Sequence, residues 1–136
     1  MQFQKVVSYV AIVLGATFMI LGTVSYATVS STLSEERITV ADDADLVAGK
    51  LVNGPLSAYS QAAIIQKHAL NSTNGLTYAE LDREDPLRAV AMNGSFLRAS
   101  LFTSVVSFGL SAFVVGVGFM FVLLGSSMLG MAKRLS

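Results

Sequence analysis

The stretch ASLFTSVVSFGLSAFVVGVGFMFVLLGSSMLGMA, residues 99–132, decides the fold of this chain. Its 34 residues carry no formal charge, whereas a helix needs only about 20 apolar residues to cross the roughly 30 Å of hydrocarbon in a bilayer. A second uncharged stretch, of 29 residues, lies between Lys5 and Glu35. The sequence therefore predicts two transmembrane helices, at 6–29 and 99–131.

The composition agrees with a membrane protein. The chain has 136 residues, of which 53% are hydrophobic and 13% charged, and its mean hydropathy of +0.62 is high for a soluble domain. The net charge of zero excludes the basic surface of a nucleic-acid binder. The lack of cysteine excludes a disulfide, a thiolate nucleophile and a cysteine-type metal site.

The charges predict an orientation in the membrane. All nine acidic residues and six of the nine basic ones lie within 35–98, which carries a net charge of −3. Outside it only Lys5, Lys133 and Arg134 are charged. By the positive-inside rule we expect a multi-pass protein of the plasma (inner) membrane with both termini in the cytoplasm. The predicted topology has cytoplasmic ends at 1–5 and 132–136 and an extracytoplasmic segment at 30–98.

A cleavable signal peptide is the alternative interpretation of the first span. Small residues at Ser25 and Ala27 have the spacing that a signal peptidase reads. The apolar run from Val6 to Val24 is longer, however, than the usual ~7–15 residues of a signal peptide. We therefore favour an uncleaved anchor.

Small residues recur at every seventh position of both predicted helices. The rows are Ser8, Gly15 and Gly22 in the first helix and Ser104, Ser111, Gly118 and Gly125 in the second. In lipid, small residues let helix backbones approach closely. The rows indicate an intramolecular antiparallel hairpin, or a face that docks a helix of a partner, for which a second row at Gly109 and Gly116 is also available. The two interpretations are compatible.

The connection between the spans is predicted to be partly helical and partly irregular. A helix should begin at Pro55 and end near Leu70, before a breaker at 71–75. Little regular structure is expected before it, although residues 38–40 are β-prone. So small a segment, without a disulfide, should need support from the membrane surface, the ends of its own spans or a larger complex.

Two capping patterns follow that helix. Thr77 and Glu80 have the spacing of a capping box that opens a brief turn. Asp85 and Pro86 have the pattern of a second cap and first helical residue, from which a helix should run through residues 87–97 with a kink or break at Asn93-Gly94.

The segment offers little for catalysis or metal binding. His68 is the only histidine, whereas nucleophilic catalysis needs a nucleophile with a positioned base and a non-haem iron site needs two histidines. Asp42, Asp43 and Asp45 are oxygen donors that lack the spacing of a calcium loop. The sequence therefore predicts no enzyme, no metal site and no cofactor bound by this chain.

Charges alternate in sign along residues 80–88, which is typical of a solvated, self-paired face and alternatively of a surface that docks a basic partner. We predict two sets of partner contacts. The close helix contacts are Gly109, Gly116, Gly118 and Gly125, and the polar contacts are Asp82, Arg83, Glu84, Asp85, Arg88 and Arg98.

Several motifs resemble a known family. They are ERITV (36–40), AGK (48–50), GPL (54–56), TYAE (77–80), DPLR (85–88) and FLRASLFTS (96–104). Over about residues 35–110 they resemble small two-span membrane proteins of actinobacteria, which often carry the label "aromatic ring-opening dioxygenase". That label implies a metal-dependent enzyme, but one histidine and no cysteine cannot furnish a dioxygenase iron site. We therefore treat the enzyme name as a misannotation.

The chain also resembles small accessory subunits of the actinobacterial respiratory supercomplex, which joins cytochrome bcc to cytochrome c oxidase. The resemblance implies a non-catalytic accessory subunit that acts in assembly or stability. Its partners would be cytochrome bcc and cytochrome c oxidase subunits and the lipid bilayer, with no nucleic acid. The alternative is a free-standing, homo-oligomeric cell-envelope protein that binds an extracytoplasmic partner through its acidic segment.

Overall fold

The computed structural model describes residues 2–134, so Met1 and residues 135–136 of the predicted cytoplasmic tails lie outside the described residues. This described chain is all-helical, with three helices and no strand. The helices are α1 (Gln2–Glu35), α2 (Pro55–Ser72) and α3 (Arg88–Arg134). Two compact units form: the helix-pair unit, up to Thr28 and from Gly109 onward, and the central unit, Val29–Phe108.

Helices α1 and α3 are long and apolar enough to cross a membrane, judged by length and composition. They have 34 and 47 residues, which at ~1.5 Å per residue gives about 50 and 70 Å. Their hydroxyl groups donate to carbonyls one turn earlier, as Thr17 does to Val13 and Thr103 to Ala99. Such bonds satisfy polar side chains in an apolar environment.

Of the predicted kink or break at Asn93-Gly94, the break is wrong, because α3 is uninterrupted from Arg88 to Arg134. An added Cβ at Gly94 would lie 2.9 Å from the Cβ of Ala69 in α2. The glycine therefore serves a close approach of two helices, and the helical bonding on either side outweighs its weak helix propensity.

The prediction for α2 is confirmed, with Pro55 as its first residue and its end two residues beyond Leu70. The Ser57 hydroxyl accepts hydrogen bonds from the N–H groups of Asn53 and Gly54, both at 3.2 Å. At the other end Gly75 has φ +84° and donates to the Leu70 carbonyl at 2.7 Å. A proline start and a left-handed glycine end thus bound the helix.

Residues before α2 form a compact loop with a single antiparallel bridge, between Thr39 and Leu51. The Val40 N–H donates to the Lys50 carbonyl and the Val52 N–H to the Ile38 carbonyl, both at 2.8 Å. The expectation of little regular structure is confirmed, and the β-prone residues pair without extending into a strand.

The core of the central unit combines this loop, α2 and the long helices. Its buried members are Leu33, Val40, Val52, Ala58, Ala62, Leu101 and Phe108. Because Leu33 belongs to α1, and Leu101 and Phe108 to α3, the long helices supply part of the missing apolar contact. Of the three supports expected for this small segment, the ends of its own predicted spans are therefore present.

Candidate docking surfaces

The helix-pair unit is held by backbone contact at glycines. A Cβ added to Gly15 would lie 2.5 Å from the Gly118 carbonyl oxygen, and one added to Gly118 would lie 2.6 Å from that of Gly15. Real Cβ atoms do not approach this closely. Only glycine at both positions allows this approach without a shift of the backbones.

The same contact continues along both helix segments in opposite sequence order. An added Cβ would lie 2.8 Å from the Ser111 carbonyl oxygen at Gly22, and 2.8 Å from that of Ser8 at Gly125. Side chains add a hydrogen bond of 3.0 Å from the Ser111 hydroxyl to that of Ser25. The predicted rows thus contact each other within the chain, except for Ser104, which belongs to the central unit.

A second face of α3 is not covered by the described chain. No atom lies within 4 Å of a Cβ added to Gly109 or Gly116. Beside Gly116 is an apolar groove of about 530 Å³ that Phe113, Met120 and Leu124 also line. The structure therefore separates the four predicted contact glycines: Gly118 and Gly125 lie against α1, and the other two remain open.

The acidic and basic residues from Asp82 to Arg88, the first residue of α3, differ in exposure. Asp82, Arg83 and Glu84 are exposed, whereas Asp85 and Arg88 are half-buried. Among the residues that the structure describes, none of them forms an ion pair. The predicted face is therefore solvated at Asp82, Arg83 and Glu84, but the predicted pairing of its charges is not found among the described residues.

The two half-buried residues have local roles. The Asp85 carboxylate accepts a 2.8 Å hydrogen bond from the Leu87 N–H, but α3 begins at Arg88, two residues after the predicted first helical residue Pro86. The Arg88 guanidinium donates to the Leu81 carbonyl. It also stacks on the Tyr78 ring, 4.1 Å from the ring centroid. Arg88 thus fixes the turn that leads into α3.

The predicted capping box at Thr77 forms in part. The Glu80 carboxylate accepts hydrogen bonds from the Thr77 N–H and hydroxyl, both at 2.8 Å. These bonds hold the pKa of Glu80 below its ordinary value. The box closes a single turn, in which the Leu81 N–H donates to the Thr77 carbonyl at 3.1 Å.

Sequence reasoning missed the role of His68. Its Nε2 lies 2.7 Å from an oxygen of Asp43, which ties the acidic loop to α2. The hydrogen bond with His68, opposed by a smaller desolvation effect, lowers the pKa of Asp43. The two residues are 25 positions apart, so no local pattern could have paired them.

Arg98 is half-buried in the central unit. Its guanidinium carbon lies 5.6 Å from the centroid of the Phe102 ring. Its Nε is buried and has no hydrogen-bond acceptor in the described chain. Arg98 is thus the one predicted contact residue with an unsatisfied buried donor among residues 2–134.

Across residues 2–134 no group of three or more histidine, aspartate or glutamate side chains could hold a metal ion. The described arrangement offers an apolar helix face, three exposed charges and an unpaired guanidinium. No protein-family model, curated protein or solved structure matches this chain.

Proposed function

We propose that this chain is a non-catalytic accessory subunit of a large membrane complex. In this proposal α1 and α3 cross the membrane as an antiparallel hairpin, both termini lie in the cytoplasm and the central segment lies outside. The observation that carries the proposal is the uncovered groove of α3 at Gly116.

The groove suits a partner helix better than it suits lipid alone. Gly109 and Gly116 expose backbone on the side of α3 that α1 leaves open. Phe113 and Met120 flank this backbone and are 66% and 55% exposed. In lipid, a helix that packs on such small residues gains dispersion contacts and close backbone approach. In the proposed topology, Asp82, Arg83 and Glu84 add exposed polar groups for a partner on the extracytoplasmic side.

The resemblance described above suggests which complex this is. We propose the actinobacterial respiratory supercomplex, with cytochrome bcc and cytochrome c oxidase subunits as neighbours. The chain would then contribute to assembly or stability, and the electron-transfer chemistry would belong to its partners.

Affinity purification tests this proposal. A tagged chain is purified from cells in mild detergent, and the eluate is analysed by mass spectrometry and a reduced-minus-oxidised haem spectrum. We expect oxidase subunits together with b-, c- and a-type haem signals. A colourless eluate that contains only this chain would refute the supercomplex assignment and favour the homo-oligomeric envelope protein.

A substitution in the groove tests the docking face. Gly116→Leu fills the open backbone position, so co-purification of the complex should fall several-fold while the chain stays in carbonate-washed membranes. Ala16→Leu is the matched control, since Ala16 is a small exposed residue of α1 and does not line the groove. Equal recovery of the complex with both variants would contradict the role of the groove.

A further inference from the structure

The uncharged run of α3 is longer than a bilayer requires. Residues 99–132 extend about 50 Å as a helix at ~1.5 Å per residue, whereas the hydrocarbon of a bilayer is about 30 Å thick. To fit the whole run into the hydrocarbon, α3 would need a tilt of more than about 50°, beyond the range of roughly 0–40° found for membrane helices. Part of the run must therefore lie outside the hydrocarbon.

The contacts of residues 99–108 show which part this is. Leu101 and Phe108 are buried in the core of the central unit together with Val40 and Val52 of the loop before α2. The backbone of that loop is irregular, with a single isolated bridge, and its charged side chains are exposed. Irregular backbone does not face lipid within the hydrocarbon, and charged side chains are costly there. The part of α3 up to Phe108 therefore lies outside the hydrocarbon with the loop.

A similar limit is found on α1. The Ser30 hydroxyl donates a 2.7 Å hydrogen bond to the backbone carbonyl of Asn53, at the end of the loop. Tyr26, one helical turn before Ser30, is 37% exposed. Tyrosine is enriched where the hydrocarbon meets the lipid headgroups, because its ring is apolar and its hydroxyl is polar. The outer limit of the hydrocarbon on α1 therefore lies close to Tyr26.

The two limits lie at the same depth. The Ser111 hydroxyl donates a 3.0 Å hydrogen bond to that of Ser25, so the residues just after Phe108 in α3 are level with Tyr26 in α1. Tyr26 is 17 positions from Tyr9, about 25 Å along the helix. This distance suits two tyrosines at opposite membrane interfaces.

The helix segments within these limits match the bilayer in length and in character. Residues 6–28 of α1 and 109–131 of α3 each comprise 23 uncharged residues, which is about 35 Å of helix. Their outward side chains are apolar, as at Val13 and Phe113, which are 65% and 66% exposed. These surfaces suit lipid chains.

We infer that the hydrocarbon of the bilayer ends, on the extracytoplasmic side, near Tyr26 of α1 and Gly109 of α3. The uncharged residues 99–108 then belong to the extracytoplasmic part of the chain, to which the charge pattern alone does not assign them. The inference rests on the proposed function, in which α1 and α3 cross the membrane. A partner that contacts residues 88–108 of α3 does so with its extracytoplasmic part.

Single-tryptophan variants measure this boundary, because the chain has no tryptophan. Phe113→Trp and Thr103→Trp place the reporter at exposed positions of α3, four residues inside and six residues outside the boundary at Gly109. The full chain is reconstituted in phosphatidylcholine vesicles whose acyl chains carry bromine, which quenches tryptophan fluorescence at short range. We expect the quenching of Phe113→Trp to exceed that of Thr103→Trp several-fold. Equal, strong quenching of both variants would overturn the inference.

Cysteine labelling gives a second readout, since the chain has no cysteine either. A membrane-impermeant maleimide should react with Thr103→Cys in intact vesicles several-fold faster than with Phe113→Cys, because the reactive thiolate forms in water. Phe96→Cys is the control for access, since Phe96 is 73% exposed and precedes the uncharged run. If Phe96→Cys reacted while Thr103→Cys was as protected as Phe113→Cys, the boundary would be wrong.

This inference and the proposed function can fail separately. Strong quenching at both residue 103 and residue 113 would leave the membrane hairpin intact and refute only the boundary. An absence of quenching at residue 113 would refute the hairpin itself, and the boundary with it. The affinity purification described above tests the accessory role whichever boundary is found.

Discussion

Glu80 accepts two hydrogen bonds from Thr77 only as a carboxylate, so its turn should depend on pH. Because the folded-state pKa of Glu80 is lowered, its contribution to stability is present above the ordinary pKa of glutamate and is lost as the pH falls through the lowered pKa. The protection of the Thr77 amide against exchange, expressed relative to its intrinsic exchange rate at each pH, should therefore fall below that pH. Exchange of the Thr77 amide between pH 6 and pH 3, corrected for the intrinsic rate, measures this.

The variant Thr77→Val separates the two bonds, because it keeps the backbone donor and removes the hydroxyl. The pKa of Glu80, followed by carbon-13 NMR of its carboxyl, should then move toward the ordinary value. An unchanged pKa would mean that the hydroxyl does not stabilise the carboxylate.

At the scale of elements, the packing of α1 against α3 depends on their glycines. Gly118→Leu places a side chain where even a Cβ would meet the Gly15 carbonyl oxygen at 2.6 Å, and overpacking of this kind costs about 1–3 kcal/mol. The chain has no cysteine, so Ser25→Cys with Ser111→Cys gives a single possible cross-link within one chain, which migrates as a monomer on a non-reducing gel. Gly118→Leu should lower its yield several-fold.

Gly109→Leu is the control for this cross-linking, since a Cβ at Gly109 meets nothing within 4 Å. Its cross-link yield should equal that of the parent double-cysteine chain. If Gly118→Leu also left the yield unchanged, the glycine contact would not hold the helices together.

At the scale of the whole molecule, the central unit should not fold without the long helices. Its core includes Leu33, Leu101 and Phe108, which a fragment of residues 36–87 would lack. We expect the NMR spectrum of that fragment to show the narrow amide chemical-shift dispersion of an unfolded chain, because its remaining apolar residues bury too little surface. A dispersed spectrum would show that the loop and α2 suffice.

Patterns within one helix turn or one span could be predicted from the sequence. The uncharged runs, the start of α2 at Pro55 and the caps at Glu80 and Asp85 each depend on residues close along the chain. The same local reasoning failed at Gly94, where the sequence looks like a break. The glycine is explained instead by Ala69, 25 positions earlier in the chain, which packs closely against Gly94.

The candidate surfaces show the same limit of local sequence reasoning. The seven-residue repeat identified the glycines. It offered two rows on α3 that could pack against α1, and which row does so depends on the rotation of each helix about its axis. For Arg98 the sequence indicated a polar contact at the end of a span. The unpaired Nε and the ring of Phe102 emerge only when α2 and α3 are packed.

The contact of Gly15 with Gly118 has a consequence for biosynthesis. The two residues are separated by about 100 positions along the chain, which a ribosome adds in about 5–20 s at ~5–20 residues per second. During that interval α1 has left the ribosome and its glycine face has no partner from its own chain. A translation arrest before Ser111 would leave that face open, so truncated chains should be the ones that the cell's membrane quality control holds or degrades.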